Sequence, residues 1–306
     1  MHPRNRFRDG YDFAALATRS PALRTFVKFN PYGDASIDYA DPKAVKALNQ
    51  ALLLEAYGLR WDIPPPYLCP PVPGRSDAIH HLADLLAGER GAATPRGPSI
   101  RVFDVGMGAN AIYPLIGVSE YGWQFVGSEA DPAAWRWARR LVSSNPSVKE
   151  LIDCRLQPSP DAIFTNVIRP GEIFDLSMCN PPFHASAAEA AAGTTRKRRN
   201  LGTAISGAAI LNFGGRAGEL WCPGGEVGFV GRMIAESVAF RHRCRWFTTL
   251  VSKSAHLPRL RLALREVEPT DVKTIEMAQG QKQSRILAWT FQRTPTASGR
   301  PARSRD

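Results

Sequence analysis

The sequence predicts an α/β fold: a mostly parallel sheet with helices on both faces. Three observations carry this. From about residue 100 onward, short apolar runs alternate with helical segments. Two of these runs end in backbone-shaping residues, Gly106-Met107-Gly108 and Asn180-Pro181-Pro182. The last two runs lie close enough in sequence to pair as antiparallel neighbours.

Strands are expected at 100–105, 123–128, 151–156, 173–179, 246–251, 271–277 and 285–291, seven in all. Helices are expected at 131–143, opened by Asp131-Pro132, and at 226–237. Ahead of them, residues 1–75 read as an N-terminal extension. Within it Asp41-Pro42 opens a helix, with Asp as N-cap and Pro in the first turn. Val45, Leu48, Leu52 and Leu53 form its apolar face and Gly58 ends it. The stretch Asp62–Gly74 holds six prolines and is expected to be extended and semi-rigid. Asp77 to Leu86 reads as a short helix, followed by a Gly/Ala/Pro loop from Gly88 to Ser99. The body of the fold is then 76–292, and the basic tail 293–306, with Arg300, Arg303 and Arg305, is expected to be disordered.

Composition narrows the class. Hydrophobic residues make up 44% of 306, enough for a substantial core. No apolar run reaches the roughly 18 residues of a membrane span, and the N-terminus lacks the apolar stretch of a secretion signal, so a cytoplasmic location is expected. The five cysteines are scattered, with no C-x-x-C spacing, which argues for small buried thiols over zinc or disulfides. No metal is expected. The net charge of +11 points to a polyanionic partner through counterion release, although basic tails alone would give the same sum.

Phe103-Asp104-Val105-Gly106-Met107-Gly108-Ala109-Asn110 closes the first strand of the sheet. Glycines there let a backbone approach a ligand closely, and the missing third glycine disfavours a pyrophosphate cofactor. Glu129 ends the next strand about 20 residues on, where an acidic side chain can bind ribose hydroxyls. The pair fits a nucleoside cofactor without phosphates, such as S-adenosylmethionine. Asn180-Pro181-Pro182-Phe183 follows the apolar run Ile173–Cys179. Two prolines remove two N–H donors and leave carbonyls free to accept. With Asn180 Oδ1 and an aromatic ring beside them, they suit a planar base with an exocyclic amine, and the chemistry indicated is methyl transfer to that nitrogen. Phe183 would stack on the base, which must be unpaired or flipped out. His184 reads as a structural histidine as readily as a base, and His80-His81 as helix packing. The run Arg196-Lys197-Arg198-Arg199 sits in a long Gly/Ala-rich stretch after the aromatic, and suggests a phosphate grip or a solvated charge run.

Several longer segments are unusual in combination: His2-Pro3-Arg4-Asn5-Arg6, Asn30-Pro31-Tyr32-Gly33-Asp34, Tyr67–Arg75, Asn180–His184, Leu211–Gly215, Glu219–Glu226 and Met277–Arg285. Through them the chain resembles, from His2 to about Phe291, the bacterial 23S rRNA adenine-N6 methyltransferase F family and its animal methyltransferase-like relatives that act on snRNA. The resemblance implies a class I, Rossmann-like methyltransferase fold, S-adenosylmethionine as donor, and one adenine of 23S rRNA, free or in a large-subunit assembly intermediate, as target. It places Arg75, Gly106, Asn110 and Glu129 on the donor, with Asp104 and Gly108 in the same turn, and Asn180 to Phe183 on the base. Met107 departs from the family pattern, where smaller residues are common. The C-terminal RNA-binding region of the animal relatives is expected to have no counterpart here. The grip on RNA is therefore expected from Arg4, Arg6 and Arg8, from Arg196–Arg199 and from Lys282, on a monomer. Transfer to a protein glutamine, transfer to DNA adenine, and a non-catalytic RNA-binding assembly role are the rival readings.

Overall fold

The computed structural model describes residues 1–90, 93–182, 184, 221–279 and 282–293. Its centre is a seven-stranded sheet: β3 (Arg101–Val105), β4 (Gln124–Glu129), β5 (Ile152–Leu156), β6 (Phe174–Cys179), β7 (Cys244–Val251), β8 (Asp271–Gln279) and β9 (Lys282–Thr290). The order is β5-β4-β3-β6-β7-β9-β8, and β9 alone runs antiparallel to its neighbours. The mostly parallel sheet and the closing antiparallel pair match the sequence expectation, with strand ends displaced by one to three residues.

Helices α5 (Ile112–Tyr121) and α6 (Pro132–Ser143) connect β3 to β4 and β4 to β5. On the far side, α7 (Gly225–Ser237) precedes β7 and α8 (Leu257–Val267) follows it. Alternate residues of each strand enter different cores, as the period of two requires. Val102, Phe125 and Leu176 join the core shared with α4 (Val72–Arg90), α5 and α6, whereas Phe103, Val126 and Cys179 join the core under α7 and α8. α5 carries no periodic signal in the sequence because it is buried nearly all round, leaving no polar face. Its Gly117 is dictated by close approach: a Cβ there would lie 2.3 Å from the Phe125 ring.

The extension is built from α1 (Phe13–Arg19), α2 (Pro21–Arg24), the two-residue strands β1 (Lys28–Phe29) and β2 (Ala35–Ser36), and α3 (Pro42–Tyr57). Asp41 caps α3 by accepting from Lys43 N–H, and Gly58 closes it at φ +67°. The predicted apolar face, Val45, Leu48, Leu52 and Leu53, is buried.

One expectation is corrected at the end of the proline-rich stretch. Extended chain was expected through Gly74, but α4 starts at Val72 and takes in Pro73 and Gly74. First-turn N–H groups have no intrahelical partner, so Pro73 forfeits no bond there. The Pro71 carbonyl accepts from Arg75 N–H at 3.2 Å and begins the ladder. The helix also runs on to Arg90, past the expected loop start at Gly88, and crosses positions 75 and 76 without a break. Of the cysteines, Cys69, Cys179 and Cys244 are buried, while Cys154 and Cys222 are half-buried. No described helix is long and apolar enough to cross a membrane, and among the described residues no group of His, Cys, Asp or Glu could hold a metal ion.

Polar contacts bind the first residues to α4. His2 N–H donates to Asp77 Oδ1 at 2.6 Å, and Asn5 Nδ2 donates to the Pro73 carbonyl at 2.9 Å. His80, stacked on His2 at 5.3 Å, shares a 2.6 Å hydrogen bond with the Tyr121 hydroxyl. Burial pushes the His80 imidazole down to about 4. An unfolded histidine takes up its proton near pH 6.5, but the folded one holds none until about pH 4. The unfolded chain therefore binds more protons across that interval, and stability falls as pH drops through it. Thermal melting between pH 7 and 5 should show a declining midpoint, and His80→Gln should flatten that decline. An equally steep decline in the variant would assign the sensitivity to other groups.

Candidate active site

A cavity of about 220 Å³ opens where β3, β4 and β6 end. Register places it there. Val105 pairs with Ser128 on one side and Cys179 on the other, so the next residues, Gly106, Glu129 and Asn180, leave three adjacent strands at one level. The crossovers from β3 and β4 run toward β5, while β6 lies on the opposite side of β3, which makes this crevice the switch point of the sheet.

Gly106 and Gly108 hold φ of +69° and +67°, the left-handed region that favours glycine. Gly108 N–H donates to Glu129 Oε2 at 3.0 Å, and Asp131 N–H donates to Oε1 at 2.8 Å. Two backbone donors thus fix the carboxylate of Glu129 against the turn. Met107, the departure from the family pattern, is buried over Gly127 of β4, where a Cβ would sit 2.4 Å from its sulfur. The absent side chain at Gly127 leaves the room that the Met107 side chain fills. Asn110 also lines the cavity, but its Oδ1 accepts from the N–H of Ile112, the first residue of α5, at 3.0 Å.

The proline-rich stretch forms a further wall, contributing Tyr67, Leu68 and Pro70, with Arg75 just beyond. It is tied to the sheet domain at several points. Asn145 bonds both the N–H and the carbonyl of Arg60, each at 2.8 Å. Trp61 Nε1 donates to the Asn110 carbonyl at 2.9 Å and Trp137 Nε1 to the Asp62 carbonyl at 3.0 Å. At the cavity the Tyr67 hydroxyl donates to Asp131 Oδ2 at 2.7 Å, while Asp131 Oδ1 caps α6 through Ala133 N–H. Tyr67 and Asp131 were not singled out as site residues. Tyr67 lies inside a segment quoted for its resemblance, and Asp131 was read only as a helix cap.

Buried polar atoms mark the interior. Arg75 Nη1 donates to the Tyr113 hydroxyl at 2.6 Å, and burial raises the Tyr113 phenol to about 12. Asp104 lies behind the turn and does not line the cavity; it is 1% exposed. Burial drives its carboxyl well above the ordinary range, with Arg75 opposing and Glu129 reinforcing the shift. Asn180 and Pro182 line the cavity, and Asn180 Oδ1 is buried with no hydrogen-bond partner among the described residues. Phe183 lies outside the described residues.

Beyond Asn180 the chain is braced from the β7 side. His184 forms an isolated bridge with Trp221, and its carbonyl accepts from Cys222 N–H at 3.1 Å. Glu226, 1% exposed, accepts from Ser252 N–H at 2.7 Å and pairs with His256 Nδ1. These contacts join the end of β6, the start of α7 and the loop after β7. Glu226 and His256 were not anticipated, because the contact spans elements that no local pattern links.

Of the residues expected to grip RNA, Arg4 bonds Asp84, the Tyr121 hydroxyl and the His80 carbonyl, and Arg6 pairs with Glu120 at 2.9 Å. In this structure both hold the extension against α4 and α5. Arg8 is exposed and pairs with Asp9 at 3.2 Å. Lys282 begins β9 at the tip of the β8–β9 hairpin. Arg196, Lys197, Arg198 and Arg199 lie outside the described residues, as does the tail from 294.

Known proteins share this arrangement. The Ribosomal RNA large subunit methyltransferase F of Serratia proteamaculans is 52% identical over 293 residues, covering 95% of this chain and 87% of that protein. Its counterpart from Pectobacterium carotovorum is 53% identical over 292 residues, covering 95% and 93%. Among solved structures, the human Mettl16 catalytic domain in complex with MAT2A 3'UTR hairpin 1 superposes with a TM-score of 0.80 at 34% identity, covering 95% of this chain and 96% of that one. The N-terminal domain of human METTL16 in complex with SAH gives 0.75 at 32% identity, covering 96% and 99%. The seven-stranded sheet is thus that of the class I methyltransferases. With the RNA methyltransferase family description matching residues 1–293, the chain belongs to that family.

Proposed function

We propose that this chain methylates N6 of one adenosine in 23S rRNA of the large ribosomal subunit, with S-adenosylmethionine as donor. The observation that carries the reading is Asn180 Oδ1, a buried acceptor without a partner among the described residues, on the wall of a cavity that also holds Glu129. An unmade hydrogen bond of this kind costs about 1–3 kcal/mol, and an amine N–H would satisfy it. The names of the relatives support ribosomal RNA as substrate, and the neighbour bound to SAH supports the donor.

The lining suits the donor's chemistry. The carboxylate of Glu129, held by two N–H groups, offers its remaining lone pairs to vicinal hydroxyls. Arg75 supplies a cation for a carboxylate. Gly106 and Gly108 leave room along the backbone. When bound, the donor supplies an electrophilic methyl carbon on a positively charged sulfur.

The chain's part is to hold the base. An adenine amine is a weak nucleophile because its lone pair is conjugated with the ring. Asn180 Oδ1 and the Pro181 carbonyl would accept its two hydrogens and turn the lone pair out of the ring plane toward the methyl group. Phe183 would stack on the base. The amine proton is lost to solvent during or after N–C bond formation, so no strong general base is required. His184 then serves the brace with Trp221 and Cys222.

Two outcomes are expected in methylation assays with purified protein, labelled donor and large-subunit rRNA. Asn180→Ala should lower kcat on the order of 10²-fold or more, by analogy with removal of a preorganised hydrogen-bonding group, while leaving donor affinity within a few-fold. Near-normal turnover would remove Asn180 from the chemistry. Tyr67→Phe should weaken donor binding by roughly 2- to 10-fold, the worth of one hydrogen bond, with kcat at saturation little changed. Unchanged donor affinity by calorimetry would mean that the proline wall does not need its link to Asp131.

A further inference from the structure

We propose that the outer face of α6 and the adjoining groove form a second RNA-binding surface, one that grips rRNA flanking the target nucleotide. The inference rests on RNA being the substrate and adds a surface distinct from the cavity.

α6 contains no acidic residue, and Arg136, Arg139 and Arg140 are all exposed along it. Positions 136, 139 and 140 are three and four apart, which puts them on one face, opposite the buried Ala134, Ala138 and Leu141. None of the three pairs with a carboxylate among the described residues, whereas Arg4, Arg6, Arg19, Arg101 and Arg155 all do. Three like charges on adjacent turns repel one another, so an arrangement without counter-charges is intrinsically unfavourable until an anion meets it.

Aromatic surface accompanies the charge. The Arg139 guanidinium lies 4.8 Å over the half-buried Trp135 ring. A groove of about 360 Å³ separates α6 from the start of the proline wall, lined by the cations Arg60 and Arg140, by the half-buried Trp137 and by Asp62, whose carboxylate is paired with Lys46. Cations that follow a backbone, beside rings on which bases can stack, are what a single strand of nucleic acid requires. A protein or lipid partner would use the positive charge but would have no comparable use for the tryptophans that flank Arg136 on either side.

Position favours the same occupant. α6 begins at the cavity rim, where Asp131 and Ala134 line the site. Arg136 and Arg140 follow about 8 and 14 Å along the axis from Asp131, at 1.5 Å per residue. Nucleotides adjoining a target seated in the cavity fall within that span.

The test compares wild type with the R136Q/R139Q/R140Q variant, titrating a fluorescein-labelled rRNA fragment that the wild type methylates, over a series of KCl concentrations. The variant should bind on the order of tenfold more weakly, with a salt slope shallower by roughly two to three counterions. Its melting temperature and donor affinity should match the wild type. On a short hairpin carrying only the target nucleotide, the two proteins should be indistinguishable. Equal affinity and slope on the long fragment would overturn the proposal. So would an equal loss on the short hairpin, which would place the effect in the catalytic site. If the wild type failed to methylate any large-subunit rRNA, the functional reading itself would fall, separately from this surface.

Discussion

The level ending of β3, β4 and β6 is the constraint on which the site depends. Parallel pairing sets Val105 beside both Ser128 and Cys179, so the glycine turn, the acidic residue and the Asn-Pro-Pro turn emerge side by side. A slip of one residue in any pair would turn each side chain from one core to the other, at the expense of the packing of Phe103, Phe125 and Leu176. The chemistry of the cavity is therefore secured by the packing of the sheet. Only the residues at or just past the strand ends are left for function.

The extension completes what the sheet begins. Its proline-rich stretch is rigid, and Asn145, Trp61, Trp137 and Tyr67 fix it at four points along its length. A preorganised wall of this kind spares a bound ligand the entropy of ordering a loop. The arginines near the N-terminus contribute to the same end. Arg4 and Arg6 meet carboxylates and a tyrosine of α4 and α5, so their first effect is to hold the extension in place. The cations of α6, unpaired among the described residues, stand in contrast, and that difference says more about an anionic partner than the total charge does.

Much of this was legible in the sequence, because the informative signals were local. Apolar runs bounded by glycine or proline marked the strands, and Asp41-Pro42 and Asp131-Pro132 marked helix starts. Gly106, Gly108, Glu129 and Asn180 stand out as candidates because each sits at or just past a strand end with a backbone or charge requirement of its own. What escaped was non-local. α5 had no polar face to give it a period, and α4 began inside a proline cluster that its first turn tolerates. The Tyr67–Asp131 link, the Glu226–His256 pair and the accommodation of Met107 by Gly127 join residues distant in sequence. Asp104 was expected among the donor contacts, but it lies behind the turn, where burial shifts its carboxyl toward the neutral form.

The most direct test of the central claim is nucleoside mass spectrometry with site mapping on 23S rRNA from a deletion strain, its parent, and the deletion strain carrying either the wild-type or the Asn180→Ala protein. The account predicts that one N6-methyladenosine disappears on deletion, returns with the wild-type protein and stays absent with Asn180→Ala. An rRNA profile identical in all four strains would contradict it.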